Sequence, residues 1–139
     1  MTFSLPEKKT VPEHQADAYL SQDNPVSGTW YTVLDTTKNV RVIAVCIKIT
    51  WATTQPSNLI VRITIDGKTE SFDITTAASA TWYYCIFNPS VANDQFLVTT
   101  NPDARSFLVE GRSVKVEANV VWATTQPTLL ECRIKYAKW

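Results

Sequence analysis

The feature that most constrains the fold of this chain is a six-residue stretch that occurs twice. Trp-Ala-Thr-Thr-Gln-Pro fills residues 51–56 and again residues 122–127. Beyond each copy the same three residue types return, at Leu59, Arg62 and Ile63 and at Leu130, Arg133 and Ile134. An alternating apolar run leads into each copy, which is typical of a β-strand. We therefore interpret the repeated unit as strand, loop, strand.

Each copy predicts a long hairpin whose tip is Ala-Thr-Thr-Gln-Pro plus Ser57 or Thr128. Thr hydroxyls and the Gln amide can bond the loop's own backbone, and Pro fixes the exit into the next strand. We expect Trp51 and Trp122 to close the core as equivalent residues of a pseudo-symmetric fold, with the two hairpins packed face to face. The alternative is that the two tips contact a partner or ligand, because loops on a rigid scaffold commonly carry such contacts.

The rest of the chain from residue 29 onward also has the pattern of strands. Residues 40–51 place Ile43, Val45 and Ile47 on one face, and a strand of that length spans about 40 Å at roughly 3.3 Å per residue. We expect it to bend or carry a bulge. Asp66-Gly67 predicts a tight hairpin turn. Residues 81–87 form a run that is apolar on both faces of a strand, which predicts a central strand or a strand buried in an interface.

These patterns predict an all-β protein, an antiparallel β-sandwich of jelly-roll type with about eight or nine strands. We divide the chain into an N-terminal arm, residues 1–28, and a sandwich domain, residues 29–139. Prolines and charged residues leave the arm little apolar surface to bury. Near Thr10 it has signals for a short helix of two or three turns. The arm either lies on its own sandwich or reaches across to a neighbouring subunit.

Charge and cysteine content narrow the classes of partner. The sequence has 13 Lys plus Arg and 13 Asp plus Glu, so we expect neither nucleic acid nor an anionic membrane as a partner. Met1–Thr10 lacks the apolar run of a secretory signal. We interpret Cys46, Cys85 and Cys132 as small buried hydrophobes, with a disulfide pair plus one leftover thiol as the alternative.

Residue types that usually carry catalysis are scarce. His14 is the single histidine, so a Ser-His-Asp or Cys-His arrangement within the core is not available. The sequence shows no zinc spacing, calcium loop or glycine-rich phosphate cradle. Asp66, Glu70 and Asp73 are explained by turn chemistry and solvent exposure. We therefore expect no catalytic residue, no cofactor, no metal site and no enzymatic activity.

Aromatic residues are plentiful, and they suit either a core with a subunit interface or a sugar-binding platform. The candidate partner or ligand contacts are the aromatic and loop residues Trp51, Thr53, Thr54, Gln55, Trp82, Tyr84, Trp122, Thr124, Thr125 and Gln126.

Residues 29–43, followed by residues 61–68, resemble small jelly-roll accessory proteins of virus and bacteriophage particles. The resemblance implies a compact sandwich that forms trimers or pentamers or docks on a capsid lattice, with an arm that clasps a neighbour. It leaves the choice among capsid, decoration, spike and tail roles open. We therefore expect a non-enzymatic virion structural protein, made in the host cytoplasm, which binds copies of itself or other virion proteins. The alternative is a carbohydrate-binding module that uses the aromatic residues and the two loops.

Overall fold

The computed structural model of the protein describes residues 14–53, 55–86 and 109–139, with Val109 described by its backbone alone. The described residues form nine strands: β1 His14–Asp23, β2 Tyr31–Thr36, β3 Val40–Thr50, β4 Ser57–Ile65, β5 Lys68–Thr76, β6 Tyr83–Ile86, β7 Val109–Gly111, β8 Val114–Trp122 and β9 Leu129–Lys138. The predicted strands at residues 96–100 and 106–108 lie outside the described residues.

The strands form two antiparallel sheets. The five-stranded sheet has the order β1-β9-β3-β6 with β7 also paired to β3, and the four-stranded sheet has the order β2-β8-β4-β5. The inward faces of both sheets bury one apolar core, in which Ile47, Leu59, Phe72 and Val120 are at most 2% exposed. The predicted antiparallel β-sandwich is confirmed, and its strand order is that of a jelly roll.

The predicted hairpins are wrong. β3 lies in the five-stranded sheet and β4 in the four-stranded sheet, so the first loop crosses between sheets, and the second loop joins β8 to β9 in the reverse sense. The ladders form between copies instead, with β3 paired to β9 and β4 paired to β8. Alternating apolar residues show only that one face of a strand is buried. The same face is buried whether the next strand in the sequence pairs with it in one sheet or lies across the core in the other sheet.

The N-terminal region also differs from the expected helix. Residues 14–23 form β1, which pairs along its whole length with β9. The alternation of Ala16, Ala18 and Leu20 places these side chains on the half-buried face, and the ladder supplies hydrogen bonds that a two-turn helix would have had to make alone. Residues 14–23 thus belong to their own sandwich. The division at residue 28 stays a prediction, and residues 1–13 lie outside the described residues.

Three smaller predictions have definite outcomes. β3 carries the expected bulge, with a register shift between Val42 and Ala44. Because of the bulge, Val42 faces the core and Ile43 is only half-buried, whereas the alternation in the sequence predicts Ile43 on the core face. The Asp66-Gly67 turn is confirmed by positive φ values of 48° and 84°. β6 is not central, because among the described strands it pairs only with β3.

All three cysteines are free and buried, as expected of small hydrophobes.

A second repeat marks the fold as two related halves. Ser27-Gly28-Thr29-Trp30-Tyr31 returns as Ser79-Ala80-Thr81-Trp82-Tyr83 with one substitution. The first repeat makes β3 and β4 equivalent to β8 and β9, and the second makes β1 and β2 equivalent to β5 and β6. Under this exchange the order β1-β9-β3-β6 becomes β5-β4-β8-β2, which is the four-stranded sheet. A pseudo-two-fold relation therefore exchanges the two sheets.

The ladders obey this relation residue by residue. Equivalent pairs include Leu59–Val120 and Leu130–Ile49, Phe72–Val61 and Leu20–Cys132, and Tyr31–Ala118 and Tyr83–Ile47. One irregularity also matches, because β2 skips Val33 against β8 and β6 skips the equivalent Cys85 against β3. The bulge of β3 between Val42 and Ala44 has no counterpart in the β4–β8 ladder. The expected pseudo-symmetry is confirmed, through ladders rather than hairpins.

Candidate functional site

The two repeated loops meet at one end of the sandwich. The Gln55 side-chain oxygen accepts hydrogen bonds from the amides of Thr124 (3.4 Å) and Thr125 (3.3 Å), and its amide donates to the Thr125 carbonyl. Gln126, the equivalent of Gln55, instead donates to the carbonyls of Asn24 (2.7 Å) and Pro25 (3.4 Å). The first loop is thus bound to the second, and the second to the connection between β1 and β2.

One serine braces each repeated tryptophan. The Ser79 hydroxyl accepts from the Trp51 amide (3.2 Å) and donates to the Trp51 carbonyl (3.5 Å). Ser27 does the same for Trp122, at 3.1 and 3.2 Å. Trp51 is 5% exposed, whereas Trp122 is partly buried and donates from Nε1 to the Pro25 carbonyl at 3.1 Å. Both close the core, and their backbones are held alike.

The predicted contact residues differ in accessibility. Trp51, Gln55 and Tyr84 are buried within the chain at 5%, 8% and 2% exposure. Trp82 and Trp122 are partly buried. The exposed members are the loop residues Thr53, Thr124, Thr125 and Gln126. Thr54 lies outside the described residues. A contact role for these residues stays a prediction.

The outer face of the five-stranded sheet brings together aromatic and charged side chains from four segments. Arg133 lies over the ring of Tyr19 at 4.4 Å and over the ring of Trp82 at 5.4 Å. Lys48 lies 4.7 Å from the Trp82 ring centre and forms an ion pair with Glu131 at 3.1 Å. We call these five residues the Arg133 patch.

Glu131 orders one side of this patch. The side chain is only about a tenth exposed, yet both carboxylate oxygens have partners, since Lys48 contacts Oε1 and the Tyr19 hydroxyl donates to Oε2. Burial raises the pKa of Tyr19, and the hydrogen bond to Glu131 raises it further. The phenol is therefore neutral at physiological pH and able to donate.

The four-stranded sheet carries an equivalent stack on its own outer face. Arg62, the counterpart of Arg133, lies 4.0 Å over the ring of Trp30, the counterpart of Trp82. Its guanidinium binds Glu117 on β8 through Nε at 3.0 Å and a terminal nitrogen at 2.9 Å. Trp30, Arg62 and Glu117 form a complete triad of ring, cation and carboxylate.

The corresponding carboxylate is missing from the five-stranded sheet. The position equivalent to Glu117 holds Cys46, which faces outward with Ala44 and Tyr84 in a small buried cluster against Trp82. Burial raises the pKa of the Cys46 thiol to about 12 despite the nearby Arg133. The thiol is therefore neutral at physiological pH and offers Arg133 no negative charge.

Sequence reasoning overlooked most of this site. In the sequence, Tyr19 lies within the predicted arm and Lys48 within a predicted strand, and Arg133 is marked only as the repeat equivalent of Arg62. The signal that could have found the stacks is the second repeat, because it sets Trp82 equivalent to Trp30 just as the first repeat sets Arg133 equivalent to Arg62.

The described residues contain no group of three or more His, Cys, Asp or Glu side chains placed to hold a metal ion. No helix in the described part of the chain has the length and apolar character needed to span a membrane.

Comparisons with known proteins show a distant similarity of fold. No protein-family model matches the sequence, and no curated protein matches it. A solved chain described under "Bacillus endospore appendages form a novel family of disulfide-linked pili" has a TM-score of 0.43 at 10% identity, over 98% of both chains. Chains of infectious bursal disease virus score 0.37 at 12% identity for the Gt strain and 0.36 at 14% for the Gx strain, each over 99% of this chain. This chain spans 37% of the length of either viral chain.

Proposed function

We propose that the protein is a non-enzymatic structural protein that self-assembles, within a virion, as a capsid, decoration, spike or tail component. The observation that carries the proposal is the Arg133 patch. Tyr19 in this patch is 48% exposed although its ring and hydroxyl are held by Arg133 and Glu131. Tyr, Trp and Arg are enriched in protein interfaces, where a few such residues supply most of the binding energy.

Further exposed apolar side chains lie on other parts of the surface. Val121, near the end of β8, is 42% exposed, and Val26, in the connection between β1 and β2, is 55% exposed. Both lie close to Trp122 and the second loop. Val121 directly precedes Trp122, and Val26 directly precedes Ser27, whose hydroxyl binds the backbone of Trp122. A self-assembling subunit needs contact points on more than one side, and the patch and the loop end provide two.

The patch is ordered before any partner arrives. Its side chains lie on strands β1, β3 and β9 and immediately before β6, and ring and ion contacts fix them. An ordered surface loses less conformational entropy on association than a flexible one. The virion setting comes from the sequence resemblance, because the structural similarities above are in fold alone.

Light scattering on the purified full chain, across a range of concentrations, tests the proposal. We expect a defined oligomer, a trimer or pentamer, that Tyr19→Ala weakens. A variant without residues 1–13 separates the contribution of the arm, and it leaves β1 intact. A full chain that stays monomeric at high concentration would contradict the proposal.

The alternative function is a carbohydrate-binding module, and the exposed ring of Tyr19 beside two cations favours it. A sugar can stack on an exposed aromatic ring and bond the neighbouring charged groups through its hydroxyls. Glycan-array binding that disappears in Tyr19→Ala, or in Trp122→Ala with an unchanged fold, would support this function. Silence across a broad array would count against it.

A further inference from the structure

The two Trp–Arg stacks differ in one respect that has a chemical consequence. Arg62 is paired with Glu117 inside the chain, whereas Arg133 has no carboxylate within ion-pair distance among the described residues. The nearest acid on its own strand, Glu131, has both oxygens bound to other groups. Arg133 is therefore a cation that contacts two rings and whose guanidinium has no ion-pair partner among the described residues.

Such a guanidinium suits a carboxylate. Stacking holds the planar group between Tyr19 and Trp82, so less freedom is lost when its N–H groups pair with two oxygens. In the equivalent triad on the other face, a stacked guanidinium does bind a carboxylate, since two nitrogens of Arg62 contact Oε1 of Glu117. Arg133 is also only partly buried, so a group from outside can reach it.

From this comparison we infer that Arg133 binds a carboxylate from outside the chain, on the outer face of the four-stranded sheet of a second copy. This inference rests on the proposed self-assembly and names its contact. Among the described residues, two exposed carboxylates lie on that face, Asp35 and Asp73. Asp73 faces outward because Phe72 and Ile74 are buried, and Asp35 pairs in register with the outward Lys115. Neither forms an ion pair within the described residues.

The geometry of such a contact is heterologous. The five-stranded face of one copy meets the four-stranded face of the next, so a growing assembly keeps one unused face of each kind, at its two ends, until a ring closes. That behaviour is what a structural assembly requires. The pseudo-two-fold relation gives the two sheets an equivalent strand order, and Arg133 with a carboxylate provides one pair of opposite charges across the contact.

Sedimentation velocity on the full chain at several concentrations, with matched variants, tests the inference. Arg133→Gln should weaken association roughly tenfold, as expected for the loss of a charge pair at an interface. The control is Lys38→Gln, which removes one positive charge from an exposed residue in the connection between β2 and β3, outside both outer faces, and should leave the association constant unchanged. Asp73→Asn or Asp35→Asn should reproduce the loss.

A second set of variants tests whether a carboxylate within the chain competes with the external one for Arg133. Cys46→Glu places a carboxylate where the other sheet has Glu117, so it should occupy Arg133 and weaken association as Arg133→Gln does. Cys46→Gln is the neutral control and should associate as the unmodified chain does. Near-ultraviolet circular dichroism of each variant establishes that the core has kept its packing.

The outcomes separate the inference from the proposed function. A full chain that associates equally well with Arg133→Gln overturns the inference and leaves self-assembly standing. A full chain that never associates overturns both. Normal association by Arg133→Gln, together with loss of binding to an acidic saccharide, would place the carboxylate on a sugar and overturn the source proposed here. If both aspartate variants associate normally, the four-stranded face is not the source.

Discussion

The first half of the molecule, β1 to β4, and the second half, β5 to β9, share almost every backbone feature and differ in what their outer faces carry. Both halves have the same ladder register, a bulge at the same place, and a serine that braces the repeated tryptophan. On the outer faces, Glu117 corresponds to Cys46, Ser71 to Tyr19 and Asn119 to Lys48. The common features are those the fold requires. The divergent ones are free to serve contacts specific to one face.

The first prediction concerns the two repeated tryptophans. Trp51→Ala should lower the free energy of unfolding by about 3–5 kcal/mol, because it empties a buried site, and Trp51 is 5% exposed. Trp122→Ala should cost only about 1–2 kcal/mol, because its ring is partly solvated. Urea unfolding with unchanged m-values measures both. Equal losses would contradict this prediction, because they would mean that the two tryptophans stabilise the fold equally.

The second prediction concerns the two arginines. Arg62→Gln should destabilise the fold by about 2 kcal/mol, because it leaves a buried carboxylate with a weaker partner; Lys115 stays 3.7 Å from Glu117. Arg133→Gln should cost only about 0.5–1 kcal/mol, because cation–π stacking on partly exposed rings is lost and no ion pair is broken. The measurement is urea unfolding of dilute protein, so that association does not contribute. A larger loss at Arg133 would reveal an internal partner for it and would weaken the case for an external carboxylate.

The strands could be predicted from the sequence, whereas the sheets could not. The alternation around Val45 and Ile47 marks β3 because one face must be buried. It does not say whether β4 lies beside β3 or across the core, since the inward residues are the same in either arrangement. The bulge at Ile43 was expected, but its position was not, and a shift of one residue exchanges the buried side chain. β1 was mistaken for a helix because its stabilising ladder is formed with β9, at the far end of the sequence.

The candidate site was harder to predict than the fold. Tyr19, Lys48 and Arg133 are far apart in sequence and converge only when β1, β9 and β3 are neighbours. The loop residues are candidate contacts because loops commonly carry function, yet the side chain of Gln55 joins the first loop to the second. The patch differs from its equivalent in the other half, where Arg62 has the carboxylate of Glu117 that Arg133 lacks among the described residues. This difference between equivalent positions marks the patch.

The third prediction uses the thiol that replaces Glu117. Burial raises the pKa of Cys46 from 9.0 to about 12, so the protonated thiol favours the folded state. This stability is fully present below pH 9 and is lost as the pH rises toward 12, by up to about 1.4 kcal/mol per pH unit. Unfolding of the unmodified chain and of Cys46→Ala between pH 8 and 11 measures it. The variant should show the shallower decline, and identical slopes would contradict the assigned burial.

The smallest expected effect tests the symmetry most directly. Ser27→Ala and Ser79→Ala each remove a hydroxyl that binds both the amide and the carbonyl of a repeated tryptophan. Each should cost about 1 kcal/mol, because a partly buried amide and carbonyl lose a partner. The two losses should agree within the error of urea unfolding and should add in the double variant, since the serines brace separate tryptophans. Unequal losses would mean that the pseudo-two-fold relation holds for the strand ladders alone. Equal losses would mean that it also holds for the connections that carry the two serines. In that case the two halves would differ chiefly on their outer faces.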